Sequence, residues 1–198
     1  TRTALKLSDY VVTEAGFGFD LGAEKFFDIK CVSAGLSPRA VVLVATVRAL
    51  KYHGGAALSE LKTPNAEAVA NGLENLEKHL ENIRQFRVPA VVAINRFTSD
   101  TDEEIAVIQQ RCRELGVAAV DTDVWARGGA GAEELAARVA EVAEADGQPF
   151  VPLYDWEAPV EDKIQAVATR IYGASAIEYM PKARADLRKI EQLGLSRL

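Results

Sequence analysis

The apolar positions of this 198-residue chain fall into two patterns, and their alternation sets the expected architecture. Unbroken apolar runs stand at Ala40 to Thr46 (AVVLVAT) and Val88 to Asn95, with a shorter one at Val117 to Val120. Runs of that length between turn signals read as parallel strands buried on both faces. Stripes of helical period lie between and after them. Val69, Leu73, Leu76, Leu80 and Ile83 recur at spacings of four, three, four and three, behind Thr63-Pro64 as N-cap and first-turn proline. Thr101 and Glu104 form a capping box ahead of Ile105, Ile108, Cys112 and Leu115. Leu135, Val139 and Val142 make a third stripe, and Val160, Ile164, Val167 and Ile171 a fourth. Leu187, Ile190 and Leu193 make a fifth, opened by Pro181 and closed by Gly194. A strand is also expected at residues 10–14, and short ones at Pro149 to Tyr154 and Ala174 to Tyr179. The fold predicted is α/β, a mostly parallel sheet with helices on both faces and right-handed crossovers.

Two glycine-rich strand-to-helix turns interrupt this plan, and both carry large aromatics. The first runs from Tyr10 to Cys31, with Gly16, Gly18 and Gly22 and with Phe17 and Phe19 among them. The second is Arg127-Gly128-Gly129-Ala130-Gly131, with Trp125 just before it. Such turns present backbone N–H groups and a helix start to a ligand. Gly16 and Gly18 would let the backbone approach it, and Phe17 and Trp125 would offer flat surfaces. The alternative is that both aromatics fold into the core. From Gly16 the spacing is G-x-G-x-x-x-G, which is not a dinucleotide fingerprint, and no G-x-x-x-x-G-K-[ST] occurs. The run Asn95-Arg96-Phe97-Thr98-Ser99-Asp100 follows the second strand. It is similar to a base-reading N-K-x-D loop, but Thr98 stands where the acid should be and Asp100 is two residues late. Asn95 and Asp100 are left as candidate nucleotide contacts, and a specific guanine reader is not expected.

Composition narrows the function classes. A net charge of −6 and a pI near 5.1 argue against a nucleic-acid footprint. The two cysteines, Cys31 and Cys112, form no C-x-x-C pair or disulfide framework. They suit a reducing compartment, and cytosol is the expectation. Cys112 lies on the inward stripe and reads as core; His79 reads as a surface residue and His53 as part of a turn. No signal peptide or bilayer-length apolar run stands in the sequence, and no metal-ligand set is evident.

The segment TEAGFGFDLGAEKFFDIKC closely resembles formate–tetrahydrofolate ligases. AVVLVATVRALKYHGG, NGLENLEKHLENIRQFRVPAVVAINRFTSDTDEE, DVWARGGAGAEELA, PLYDW and YMPKARADLRKIEQLG follow in matching order, from near Thr3 to about Gly194. The resemblance implies ATP-dependent joining of formate to the N10 of tetrahydrofolate, with Mg2+ and formyl phosphate, on a P-loop NTPase-like core. It also implies an oligomer at full length. Phe17 and Trp125 match the family's aromatic pair around the pterin, and Phe97 an aromatic beside that pocket. The family's phosphate loop and formyl-phosphate arginine have no counterpart here, so no catalytic residue is named. The chain reads as an internal segment: residues 1–147 as a folate-site portion, 148–198 as the start of a following one. Phe19, Ala130 and the stretch Leu195 to Leu198 depart from the family pattern. Two rival readings are a pterin- or nucleotide-binding module without chemistry and a sheet and oligomer-contact portion of a larger enzyme. The ligase domain of a trifunctional folate enzyme fits the same resemblance.

Overall fold

The computed structural model describes residues 1–197; Leu198, the last of the departing tail residues, lies outside them. In chain order the main elements are α1 (Val32–Ala34), β1 (Val41–Ala45), α2 (Val47–His53), α3 (Ala66–Gln85), β2 (Ala90–Asn95) and α4 (Asp102–Glu114). They continue as β3 (Ala118–Thr122), α5 (Val124–Arg127), α6 (Glu133–Glu144), α7 (Val160–Ala166) and α8 (Pro181–Gln192). The chain divides into two compact units. One is Pro38–Phe150; the other joins Thr1–Ser37 to the described residues from Val151 on.

The Pro38–Phe150 unit holds the three-stranded sheet, in the order β1-β2-β3 and parallel throughout. Val41 pairs with Ala90 and Ala45 with Ile94, while Asn95 pairs with Thr122, so the carboxyl ends of the strands lie level. The class is the α/β arrangement expected, with a parallel sheet flanked by helices. Central β2 is buried from Val91 to Ile94. Edge strand β1 departs from the expectation of two covered faces: Val42 and Val44 are exposed, and burial alternates along it. An unbroken apolar run does not reveal whether its second face is covered.

The stripe on α3 forms as read, with Val69, Leu73, Leu76, Leu80 and Ile83 all buried. Its N-cap is Asn65 rather than Thr63, because the Asn65 side chain accepts the Ala68 N–H at 2.8 Å. Thr101 and Glu104 make the capping box of α4, and Ile105, Ile108 and Cys112 point inward. Leu115 and His79 are half-buried, His79 less exposed than a surface position implies. Burial pushes the Cys112 thiol up to about 11, which suits a core residue.

Helices α2 and α3 meet backbone to backbone. A Cβ on Gly72 would stand 1.9 Å from the Leu50 carbonyl oxygen, and one on Gly54 would stand 1.8 Å from that of Ala68. Only glycine permits this approach. It brings Lys51 of α2 toward the start of α4, where its ammonium lies 2.8 Å from Glu104 and neither side chain is exposed. The Lys51 Nζ also donates to the Thr63 carbonyl at 3.0 Å. Glu104 accepts in addition from the Asn65 N–H at 2.9 Å and from the N–H and hydroxyl of Thr101 at 2.9 and 3.0 Å. Burial pushes this carboxyl up, but Lys51 and the three other donors outweigh it and hold it at about 2.

The other unit has a smaller core of Phe19, Ala23, Phe27, Cys31, Leu153 and Ile171. No strand forms among its described residues. Residues 10–14, expected as a strand, join no sheet, and Val12 is exposed. The expected strands at Pro149 to Tyr154 and Ala174 to Tyr179 are also absent. At Leu153 the backbone bonds to side chains instead: its N–H donates to Asp28 Oδ1 at 2.6 Å, and its carbonyl accepts from Arg170. The glycine loop does feed a helix, which winds through wide i→i+5 turns at Phe19–Ala23 and Phe26–Cys31 before α1. That helix carries Glu24 and fully buried Asp28 one turn apart. Burial pushes Asp28 up to about 7 against the pull of the Leu153 N–H, and the like charge of Glu24 adds to the rise.

Gly72→Ala forces α2 and α3 apart and should cost about 1–3 kcal/mol by denaturant titration. Gly129→Ala, whose Cβ meets nothing within 4 Å, should be close to neutral. For Glu104 the folded value lies below its ordinary 4.5, so its contribution is complete above that pH and drains away as pH falls toward about 2. Unfolding free energy followed across that window should slope in the parent and flatten in Glu104→Gln. Lys51→Met, which strands the carboxylate, should cost about 3–5 kcal/mol at neutral pH.

Candidate functional site

The loops that leave the level carboxyl ends of β1, β2 and β3 form one edge of the sheet, where ligands of open α/β sheets bind. After β1, Thr46 caps α2 by accepting the Ala49 N–H at 3.1 Å, which sets Arg48 in the first turn at this edge. After β2, the Arg96 N–H continues the ladder to the Thr122 carbonyl at 3.1 Å. Its guanidinium pairs with Asp121 at 2.9 Å and with Asp102 at 2.6 Å, fixing the ends of two strands and the start of α4.

The next four residues close into a turn. The Asp100 N–H donates to the Phe97 carbonyl at 3.0 Å, and Asp100 Oδ2 accepts the Phe97 N–H at 2.9 Å. Asp100 Oδ1 accepts from the Ser99 hydroxyl at 3.3 Å. Both Asp100 oxygens are thus engaged by its own loop, and the residue is 6% exposed. Asn95 ends β2 half-buried. Phe97 keeps 37% of its surface exposed, and the Arg48 guanidinium lies over its ring, 4.1 Å from the centroid.

After β3, Asp123 starts the short α5 by accepting the Ala126 N–H. The chain then folds back so that the Asp123 N–H donates to the Gly131 carbonyl at 3.2 Å. A Cβ on Gly131 would lie 2.2 Å from the Asp123 carbonyl oxygen, so the return depends on glycine. Trp125 sits on this closed loop, 84% exposed. Burying a tryptophan in this unit's core was the alternative, and the structure does not do so.

Phe17 belongs to the other unit. It is 93% exposed and has a φ of +66°, a left-handed conformation costly for a large side chain and frequent at functional loops. Gly16 and Gly18 on either side are exposed, and the Gly18 carbonyl accepts the Leu21 and Gly22 N–H groups as the helix begins. A Cβ on Gly22 would stand 1.5 Å from the Gly16 carbonyl oxygen, so the loop closes on itself as tightly as the second one does. The structure therefore brings Phe97, Asn95, Asp100 and Trp125 to one sheet edge. Phe17, Gly16 and Gly18 stand on a loop of the second unit.

A cavity of about 510 Å3 in the sheet unit lies at the opposite, amino-terminal ends of β2 and β3, lined by Ile83, Val88, Ala90, Val117 and Val142. The chemistry-bearing loops are not there. Among the described residues no group of three or more His, Cys, Asp or Glu side chains is placed to hold a metal ion. No helix among them is long and apolar enough to cross a membrane. Arg48 was not singled out in the sequence; its one signal there was a cation set three residues past an apolar strand, at the sheet's carboxyl edge.

A sequence model of the formate–tetrahydrofolate ligase family matches residues 1–198. A curated formate–tetrahydrofolate ligase of Granulibacter bethesdensis is 54% identical over 198 residues, all of this chain and 35% of the relative. The chain thus spans about a third of the length of that protein. On both findings, this chain belongs to the formate–tetrahydrofolate ligase family.

Proposed function

We propose that this chain supplies the tetrahydrofolate-binding edge of a ligase that joins formate to the N10 of tetrahydrofolate with ATP. The observation that carries the reading is Trp125, an indole held in solvent by a loop that closes through Asp123 and Gly131. Phe97 stands exposed at the end of the adjacent strand, and neighbouring strands lie about 4.8 Å apart. Flat, exposed rings at a sheet edge suit a pterin, whose faces are apolar and whose rim is polar. Phe17, with Gly16 and Gly18, is proposed as a further folate contact on the resemblance and on its strained, exposed conformation. Asn95 is the open nucleotide-side candidate at this edge. Asp100 would act there by shaping the loop that carries Phe97.

ATP, Mg2+ and formate enter through the family's reaction. Bound Mg2+ would supply neutralisation of charge on the phosphates, and the residues at this edge would orient the acceptor amine. The activity in the cytosol and assembly into an oligomer belong to the same proposal. The rival reading, a binding module without chemistry, is separated by turnover. In a family-length ligase carrying these residues, Trp125→Ala should weaken tetrahydrofolate binding on the order of tenfold while ATP affinity holds. Phe17→Ala should behave similarly. Because both side chains are largely exposed, the melting temperature should stay near that of the parent. A large fall in melting temperature with unchanged folate affinity would make them packing residues instead.

The 198-residue chain alone, given ATP, Mg2+, formate and tetrahydrofolate, should release no ADP above background. Its sequence contains no phosphate-loop motif, and positioning of the phosphates supplies most of the catalysis in such transfers. Formate-dependent ADP release would reveal a phosphate site built from other residues.

A further inference from the structure

Arg48 makes contacts that a surface cation does not need. It is half-buried and forms no ion pair with any described carboxylate. Its guanidinium covers the Phe97 ring at 4.1 Å from the centroid, and its Nη2 donates to the Ser99 hydroxyl at 3.3 Å. Its Nε is buried with no hydrogen-bond partner. An unmet buried donor is costly, and rotation of the side chain into solvent would relieve it. The chain keeps the stack instead. A guanidinium can do this because it lies flat on a ring while still donating in its own plane; an ammonium cannot.

Both the ring under the Arg48 guanidinium and the hydroxyl it donates to belong to the loop after β2. Ser99 bonds in turn to Asp100, whose carboxylate accepts the Phe97 N–H. The ring is therefore held from behind by the stack and from its own backbone by Asp100. We propose that Arg48 is a positioning residue for the folate site: it occupies one face of Phe97 and presents the other to the ligand's ring. This rests on the reading of Phe97 and Trp125 as a folate edge. It adds that one-sided presentation of Phe97, set by a residue of α2, controls folate affinity.

The test uses a family-length ligase carrying these residues, with KM for tetrahydrofolate and for ATP, kcat and a melting curve for each variant. Arg48→Met, which keeps the apolar stem, should raise KM for tetrahydrofolate about three- to tenfold and leave that for ATP within about twofold. Arg48→Lys should fall between it and the parent. If Arg48 acts through the ring, Arg48→Met combined with Phe97→Ala should bind folate no worse than Phe97→Ala alone. Should Arg48→Met not fold, Ser99→Ala loosens the same guanidinium and should raise only the folate KM. Multiplying single effects in the double variant would overturn the proposal, because Arg48 would then meet the ligand itself. So would an unchanged folate KM in Arg48→Met alongside a raised one in Phe97→Ala. An unchanged folate KM in Phe97→Ala would instead overturn the folate reading of this edge, and the role of Arg48 with it.

Discussion

The buried contact between Lys51 and Glu104 is the constraint on which the carboxyl edge of the sheet depends. Taken singly, such a pair adds little net stability, since desolvating two charges offsets most of their attraction. Its effect is to specify geometry. Glu104 has four donors from three places: the middle of α2, the approach to α3 and the cap of α4. Moving any of these elements leaves a charge without its partner inside the protein. Arg48 lies one turn before Lys51 on α2, and Phe97 lies just ahead of the Thr101 cap of α4. The ion pair therefore fixes both sides of the stack at the sheet edge. The glycine contact between α2 and α3 makes the pair reachable, because a wider crossing would draw Lys51 away.

The two units depend on buried carboxyls in opposite ways. Glu104 is surrounded by donors and favours the folded state as an anion. Asp28 has one strong donor, Leu153, and a neighbouring acid, and it favours the folded state when it holds a proton. Its contribution is complete below its ordinary value of 3.8 and is lost as pH rises through about 7. Acid therefore weakens the sheet unit by the same chemistry that favours the other. Burial pushes both carboxyls up; the contrast follows from the Lys51 ammonium and the further donors around Glu104, set against the single Leu153 N–H and the acidic neighbour at Asp28.

Much of this fold could be read from the sequence where the information is local. The α3 stripe, the Thr101–Glu104 box and the three parallel strands each declare themselves within a short window. Apart from the cap of α3, which falls on Asn65 rather than Thr63, the misreadings concern partners that lie far along the chain. Tyr10-Val11-Val12 has the composition of a strand, but a strand needs a neighbour, and nothing in those residues says whether one exists. Val42 and Val44 look like core until the cover on their side of β1 is considered. Glu104 was visible as a helix cap, while its ion pair with a residue 53 positions away was not. For the candidate site, glycines beside aromatics pointed to Phe17 and Trp125, and both side chains stand exposed on loops. Arg48 escaped because an arginine at a helix start has many ordinary uses, and only three dimensions show that it lies over a ring.

The exposed indole on the closed loop also makes the molecule observable by light. The chain has two tryptophans, and they fall one to each unit. Trp125 is bathed in solvent, whereas Trp156 donates its indole N–H to the Asp28 carbonyl within the other unit. Emission from the first reports what arrives at the sheet edge, by shift or quenching. Emission from the second reports whether the helix carrying Asp28 keeps its place. Removing one indole at a time resolves ligand capture from structural change in a single cuvette, with no label added.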